Sequence, residues 1–180
     1  YLHERDLSFD CVFTRHKYHA VTITIEAIRE GFRHFIVIGG DGTFHEVVNG
    51  IFYQQDVPTQ DMTVGIIPIG TGNDLISTYR IPSDYELAME TIIQENSVLT
   101  DIGWVSFQDY GIERSRFFAN AAGMGLDAAV ICRYEKVVEQ TKRRGHSLYL
   151  KSLLHQFLLY QSKDLRVLVD GNVFYEGPVL

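Results

Sequence analysis

The hydrophobic pattern of residues 1–97 alternates short apolar runs with segments of helical periodicity. Strands are predicted at residues 9–13 (FDCVF), 35–38 (FIVI) and 63–67 (TVGII). Each strand is followed by a turn and then by helical periodicity. The helices are predicted at residues 18–30, 43–53, 74–79 and 84–95. Strands that alternate with helices in this way indicate an α/β domain with a parallel sheet and right-handed crossovers.

After residue 97 the alternation gives way to a β-rich pattern. Asp170 and Gly171 lie between two runs of β-forming residues and predict a hairpin. An apolar helix is predicted at residues 147–160, and strands at residues 98–107, 115–122, 165–169 and 173–175. We therefore predict an α/β domain at residues 1–97 and a β-rich domain with a helical insertion at residues 98–180.

Composition and charge exclude several classes of protein. The net charge of -7 argues against a nucleic-acid partner, because binding a polyanion needs a basic surface. Cys11 and Cys132 are too few and too far apart for a disulfide framework or a zinc site, so a reducing cytoplasm is expected. No apolar run approaches the roughly 20 residues of a membrane span. The chain starts at Tyr1 and stops at Leu180 within a strand-like run, so we expect a fragment cut at both ends.

Two glycine-rich loops carry the candidate chemistry. GGDGT at residues 39–43 and GTGND at residues 70–74 each follow a predicted strand closely, and so does Thr14. In an open parallel sheet such positions share the edge formed by the carboxyl ends of the strands, where ligands bind. Both loops also open a predicted helix, whose free N–H groups and partial positive charge suit a phosphate group. The pattern therefore predicts a cradle for a polyphosphate.

The same loops contain side chains that suit helix capping or metal binding. Thr43 and Glu46 fit a capping box, and Thr71 with Asp74 fits a looser version. The negative charges of Asp41 and Asp74 would be unfavourable in a loop that binds only an anion. A nucleoside triphosphate, however, carries Mg²⁺, which prefers carboxylate and water oxygens. The alternative is that the glycines serve only the turns and that both aspartates cap helices.

Other phosphate-binding motifs fit the sequence less well. GxxxxGK[ST] is absent, and no lysine occurs between Tyr18 and Glu135, so a lysine-clamped phosphate loop is excluded. Residues 123–128 match GxGxxA. They lie among strands that we predict to be antiparallel, so a chance match is favoured over a dinucleotide site.

The two loops together resemble the diacylglycerol kinase catalytic domain family, which includes bacterial soluble lipid kinases, sphingosine kinases and ceramide kinases. GGDGTFHEVVNGI at residues 39–51, followed by GIIPIGTGNDL at residues 65–75, is the specific part of the resemblance. GGDGT alone is shared with phosphofructokinases and NAD kinases. The resemblance extends over nearly the whole chain through TDIG, NAAGMGLDAAV and RGHSLYL, at residues 100–103, 120–130 and 144–150.

This resemblance implies a fold and a reaction. The fold is an α/β domain of the NAD kinase and diacylglycerol kinase type, here without its first strand, followed by a β-sandwich domain truncated at the C-terminus. The reaction is the ATP-dependent transfer of the γ-phosphoryl group to a lipid hydroxyl such as that of diacylglycerol, with Mg²⁺ as the metal. The implied nucleotide contacts are Thr14, Gly39, Gly40, Asp41, Gly42, Thr43, Phe44, His45, Gly70, Thr71, Gly72 and Asn73.

The resemblance also implies roles for individual carboxylates. Asp41 would position Mg-ATP for catalysis, and it would join Asp74 and Asp101 in a carboxylate–water network around the metal. Asp127, in the GMGLDAAV stretch, would contact the lipid headgroup.

The sequence departs from the family pattern in three ways. His45 stands where an asparagine is more usual. The opening strand with its phosphate loop is missing before Tyr1, and the acidic general base would lie beyond Leu180. We therefore expect residues 1–180 alone to bind nucleotide poorly and to catalyse little.

Two alternative functions remain beside the lipid kinase. A NAD kinase-like enzyme acting on a soluble metabolite shares GGDGT, although the GTGND segment disfavours it. A nucleotide-binding regulatory protein would have no transfer activity at all. The sequence does not indicate which lipid would be the substrate.

A soluble lipid kinase must also meet a membrane surface. A basic patch lies beside the apolar helix at residues 147–160, and it consists of Lys136, Lys142, Arg143 and Arg144. These features predict a cytoplasmic protein in transient, peripheral contact with an anionic membrane. The alternative is a core helix with a solvated basic flank. A homodimer is compatible with the sequence.

Overall fold

The computed structural model describes residues 8–70, 72–143 and 145–179. The chain divides into two compact units, Tyr1–Asn120 and Ala121–Leu180. The first unit contains α1 (His19–Arg29), β1 (His34–Gly39), α2 (Asp41–Tyr53), β2 (Thr63–Pro68), α3 (Asp74–Tyr79), α4 (Tyr85–Ile93), β3 (Gly103–Asp109) and β4 (Ile112–Phe118). The second contains α5 (Leu126–Thr141), α6 (His146–Leu159), β5 (Lys163–Val169) and β6 (Asn172–Val179).

The predicted parallel sheet is confirmed. Strands β1 and β2 run parallel in continuous register, from His34 opposite Thr63 to Gly39 opposite Pro68. This pairing brings the last residues of both strands to the same edge. The core beside the sheet is built from α1, α2 and the two strands, and its buried members are Ala20, Ile28, Val37, Val47, Ile51 and Ile66.

The strand predicted at residues 9–13 is wrong. In the structure these residues have no regular secondary structure, and Phe13 is 82% exposed. The two sheets of this unit have the orders β1-β2 and β3-β4, and residues 9–13 belong to neither. An apolar run alone does not make a strand, because the backbone hydrogen bonds must be completed by a neighbour.

Helices α1 and α2 approach each other closely at Gly50. A Cβ atom built on Gly50 would lie 2.7 Å from the Cβ of Thr24 and 2.8 Å from the carbonyl oxygen of Val21. The hydroxyl of the buried Thr24 donates to the Ala20 carbonyl at 2.7 Å, so the facing turn of α1 is satisfied internally. Only glycine fits at this crossing without a shift of backbone.

Beyond α4 the pairing becomes antiparallel, as the change of pattern predicted. Strands β3 and β4 form a hairpin, with Gly103 opposite Phe118, and this hairpin packs on α2. It belongs to the first compact unit, which ends at Asn120. The domain boundary that the change of sequence pattern predicts at residue 97 stays a prediction.

The second unit combines two helices with a hairpin. Strands β5 and β6 pair antiparallel around Asp170 and Gly171, which confirms the predicted turn. The predicted helix at residues 147–160 is α6, whereas α5 was not predicted. The GxGxxA motif therefore opens a helix and does not lie between strands, but the preceding strand is antiparallel, so the βαβ context of a dinucleotide site is still missing. Among the described residues, no helix is both long and apolar enough to cross a membrane.

Candidate nucleotide site

The two glycine loops meet at the edge of the parallel sheet. The N–H of Ile69 donates to the Gly39 carbonyl at 3.0 Å and continues the β1–β2 pairing into the loops. A Cβ atom built on Gly70 would lie 2.5 Å from the Cα of Gly40 and 2.6 Å from the Oδ1 of Asn73. Glycine is required at Gly70 because no side-chain carbon fits between the two backbones. The predicted convergence of the loops is confirmed.

The carboxylate of Asp41 joins the loops by capping α3. Its Oδ2 accepts the N–H of Asp74 at 3.1 Å, and its Oδ1 accepts the N–H of Leu75 at 3.3 Å. Negative charge is favourable at this position, since the first turn of a helix has unpaired N–H groups and a positive dipole end. Of the two interpretations of Asp41, capping is what the structure shows, while its part in a metal network stays a prediction.

The N-terminus of α2 is built differently from that of α3. Its N-cap residue is Gly40, in an extended conformation and without a side chain to cap the helix. A Cβ atom built on Gly42 would have no described atom within 4 Å apart from its chain neighbours and the nearby backbone of α2. The first turn of α2 is therefore open and has the positive end of a 13-residue helix, which suits an anionic ligand.

The capping box predicted for Thr43 and Glu46 is wrong. The helix begins two residues earlier, at Asp41, and the carboxylate of Glu46 points to α1. There it accepts the N–H of Tyr18 at 2.8 Å and the N–H of Ala20 at 3.1 Å. Glu46 thus caps a neighbouring helix, a relation that depends on tertiary packing and has no signal in local spacing.

Asn73 contributes a buried acceptor at the meeting point of the loops. It adopts a left-handed conformation with φ of 56° and precedes α3. Its Nδ2 donates to the Gly70 carbonyl at 2.8 Å, whereas its Oδ1 is buried without a partner among the described residues. A buried unpaired oxygen is costly, so a hydroxyl donor from a ligand or a water would be favourable here.

His45 links α2 to the end of β4. Its Nε2 lies 3.2 Å from the backbone N–H of Ala119, which must donate, so the ring is neutral with its proton on Nδ1. Burial lowers the pKa of His45, while the nearby charge of Asp41 acts in the opposite direction. Both the hydrogen bond and the lowered pKa favour the neutral imidazole.

Comparison with known proteins identifies the family. The family model of the diacylglycerol kinase catalytic domain matches residues 1–105. This chain belongs to that family.

Two similar proteins come from staphylococci. The diacylglycerol kinases of Staphylococcus carnosus strain TM300 and Staphylococcus aureus strain JH9 are each 34% identical over 154 residues, or 86% of this chain. The match covers 45% of the first relative and 44% of the second. The chain thus spans about half the length of these relatives.

A solved structure supports the fold. The crystal structure of a diacylglycerol kinase from Bacillus anthracis strain Sterne superposes with a TM-score of 0.62 and 25% identity. The superposition covers 93% of this chain and 49% of the other. The predicted order, an α/β region with a parallel sheet before antiparallel strands, is therefore confirmed.

The structure brings together some of the residues that the family resemblance implied and leaves others apart. The residues of Gly39–Thr43 and of Gly70–Asp74 lie at one edge of the parallel sheet. Thr71 is excepted, because it is outside the described residues. Phe44 packs against the core. Thr14 and Asp101 are exposed residues outside helices and strands.

The roles implied for the remaining carboxylates stay predictions. Asp127 lies in the first turn of α5, in the second unit, with its carboxylate directed at Gly123. Within the described residues, no group of three or more His, Cys, Asp or Glu side chains could hold a metal ion. A metal bound mainly by phosphates and water, with one or two carboxylates, remains compatible with this donor set.

Proposed function

We propose that the full-length protein transfers the γ-phosphoryl group of ATP to the hydroxyl group of a lipid such as diacylglycerol. One observation carries the proposal: two strand-ending loops converge at Gly40 and Gly70, next to the open N-terminus of α2. Membership of the diacylglycerol kinase catalytic domain family supports it. The chain spans less than half the length of the relative from Staphylococcus carnosus, so the activity is proposed for the whole protein.

The residues of this edge have separate roles in the proposal. The N–H groups of Asp41 and Gly42 bind phosphate oxygens, and the missing side chain of Gly42 leaves room for the phosphate. The N–H of Thr43 instead donates to the Gly40 carbonyl at 3.1 Å. Mg²⁺, when bound with ATP, supplies charge neutralisation for the phosphates. Asp41 is placed to hold it directly or through water, since each carboxylate oxygen retains a lone pair beyond its bond to α3.

In this proposal the main function of these residues is to hold the phosphates in a fixed position. Phosphoryl transfer requires little covalent chemistry from the protein and depends on position and charge. The Asp41 cap holds the two loops at a fixed separation, and the Gly40–Gly70 contact prevents them from closing further. The group that accepts the proton of the lipid hydroxyl is proposed to lie outside residues 1–180.

The decisive experiment incubates the full-length protein with labelled ATP and either a panel of extracted lipids or NAD. A labelled lipid supports the proposal. Label on NAD would favour the NAD kinase-like alternative, and nucleotide binding with no labelled product would favour a regulatory protein.

Substitution of Asp41 tests the role of this loop. Asp41→Asn should lower turnover by about two orders of magnitude, since the charge next to the phosphates is lost. Asp84→Asn is the matched control, because the Asp84 carboxylate also accepts two N–H groups, those of Glu86 at 3.0 Å and Leu87 at 3.1 Å, at the start of α4. Equal activity of the Asp41→Asn protein and the control would remove Asp41 from the mechanism.

Contact with a membrane surface is part of the proposal and is supported by α6. This helix carries an exposed apolar stripe at helical spacing, formed by Leu150, Leu154, Phe157 and Leu158. Only Ser152 is buried among its described residues, which disfavours the alternative of a core helix. Arg143 and Lys151 line an adjacent groove of about 310 Å³ with Ser147 and Leu148. Apolar and cationic groups side by side suit an anionic lipid surface.

A further inference from the structure

Three side chains on one face of α2 bind alternate residues along one edge of β4 and its extension to Ala119, the first residue after the strand. His45, Asn49 and Tyr53 are spaced four residues apart and therefore lie on the same helix face. Their partners are the backbone groups of Ala119, Phe117 and Ser115, spaced two residues apart, as one edge of a strand requires. We call these three side chains the α2 ladder.

Asn49 is the central residue, or rung, of the α2 ladder. Its amide group pairs with both backbone groups of Phe117, as a residue of a neighbouring strand would. Its Nδ2 donates to the Phe117 carbonyl at 2.8 Å, and its Oδ1 accepts the Phe117 N–H at 3.0 Å. The same Nδ2 lies 2.8 Å from the His45 carbonyl, one turn earlier in α2. Asn49 is only 6% exposed, so loss of this amide would leave the two backbone groups of Phe117 without their partner.

Tyr53 makes the outer rung. Its hydroxyl donates to the Ser115 carbonyl at 3.0 Å and accepts from the guanidinium of Arg116 at 3.2 Å. The guanidinium also lies over the ring of Tyr18, 5.0 Å from its centroid. The ring of Tyr53 meets Phe117 edge-on at 5.6 Å. Tyr53 is 37% exposed and is not a member of the buried core, so its hydroxyl can be removed with little change to that core.

The ladder determines where β4 lies along α2. An apolar contact alone would allow the strand to slide, whereas a slip of one residue would break all three rungs, because alternate backbone groups point to opposite sides. Helix α2 begins in the GGDGT loop at Asp41, and β4 leads to Asn120, the last residue of the first unit. One helix therefore positions both the candidate phosphate loop and the point where the chain enters the second unit.

We propose that Asn49 and Tyr53 are positioning residues for phosphoryl transfer. By fixing the register of β4 on α2, they hold Ala119 and Asn120, the last residues of the first unit, at a constant distance from the phosphate loop. This inference rests on the proposed lipid kinase function. A misplacement of about 1 Å far from the reacting atoms is enough to slow a positioned reaction strongly.

Tyr53→Phe in the full-length protein provides the cleanest test. Loss of one hydroxyl should lower kcat about fivefold while the KM for ATP stays within about twofold of the wild-type value. The amide protons of Phe117 and Ala119 should exchange faster with solvent, whereas the melting temperature should change little. Tyr85→Phe is the matched control, since the Tyr85 hydroxyl binds Glu86 outside the ladder.

Asn49→Ala extends the test to the central rung. Its kcat, corrected for the folded fraction, should fall further than that of Tyr53→Phe, because two backbone bonds are lost instead of one. An unchanged kcat in Tyr53→Phe, or losses in both variants that only follow the folded fraction, would overturn the positioning role. An inactive wild-type protein would instead overturn the proposed function, and slow exchange of Phe117 in Tyr53→Phe would show that the ladder does not hold β4.

Discussion

At the scale of single residues, the carboxylate of Asp41 explains why an acidic residue stands in a glycine-rich loop. It accepts the first two N–H groups of α3 and so ties the GGDGT loop to the GTGND loop. An asparagine at this position would present one acceptor oxygen instead of two and would carry no charge toward the positive end of the α3 dipole. The same geometry keeps the negative charge beside the open end of α2.

His45 leads to a prediction about pH. Burial lowers its pKa in the folded protein from the ordinary value of 6.5, with the charge of Asp41 opposing the shift. At pH values between the lowered pKa and 6.5, His45 binds a proton in a larger fraction of unfolded chains than of folded chains. The contribution of neutral His45 to the free energy of unfolding is therefore complete above pH 6.5 and is lost as the pH falls. Protonation would also remove the acceptor for the Ala119 N–H.

Urea unfolding at about pH 7.5 and about pH 5.5 checks this prediction. The wild-type protein should lose more of its free energy of unfolding over this interval than His45→Gln, whose amide oxygen can replace Nε2 as acceptor without titrating near neutrality. Equal losses in the two proteins would show that His45 does not contribute.

At the scale of elements, two glycines of α2 have opposite environments. A Cβ atom at Gly50 would meet the backbone of α1 and the side chain of Thr24, whereas one at Gly42 would meet no described atom within 4 Å apart from its chain neighbours and the nearby backbone of α2. Gly50→Ala should lower the free energy of unfolding by roughly 1–3 kcal/mol, because the two helices must separate.

Gly42→Ala is both a control for this change and a test of the site. It should raise the free energy of unfolding by roughly 0.5–1 kcal/mol, since alanine is the better helix former. The added methyl group would occupy the space proposed for phosphate, so affinity for ATP should fall, as measured by calorimetry on the full-length protein. Gly42→Ala with higher stability and unchanged ATP affinity would place the phosphates elsewhere.

The exposed stripe of α6 gives a second prediction at this scale. The full-length protein should sediment with vesicles of anionic lipid more strongly than with neutral vesicles. Leu154→Gln should weaken sedimentation on both, because apolar burial is lost, whereas Lys151→Gln should weaken it mainly on anionic vesicles. Sedimentation that neither substitution changes would exclude α6 as the contact surface.

At the scale of the whole molecule, the residues of the candidate nucleotide site all come from the first unit, while Asp127 and α6 belong to the second. The chain spans less than half the length of the two staphylococcal relatives, since the match covers 45% of one and 44% of the other. A complete kinase needs phosphate binding, a lipid site and a proton acceptor, and the described residues include a candidate for the first of these.

The consequence is a prediction about activity. Residues 1–180 alone should phosphorylate diacylglycerol-containing vesicles at background rate, while the full-length protein should be active under the same conditions. Robust transfer by residues 1–180 would contradict the expectation that the general base lies elsewhere.

Much of the fold follows from the sequence by local rules. The parallel strands, the helices α1 to α4, α6 and the β5–β6 hairpin all carry strong periodicity or turn residues, and each was predicted within a few residues. Failures occurred where the local signal was weak. Residues 9–13 have an apolar run but no pairing partner, and α5 has a polar, mixed sequence with Val130 as its buried residue.

The candidate site divides in the same way. By itself the sequence determined that two glycine loops follow parallel strands and hold aspartates, because these features depend on neighbours along the chain. Only the tertiary structure decided that Asp41 caps α3, that Glu46 caps α1 and that Asn49 binds β4. Their partners are 26 to 68 residues away in sequence, and a polar side chain carries no local mark of a distant backbone group that packing will bring to it.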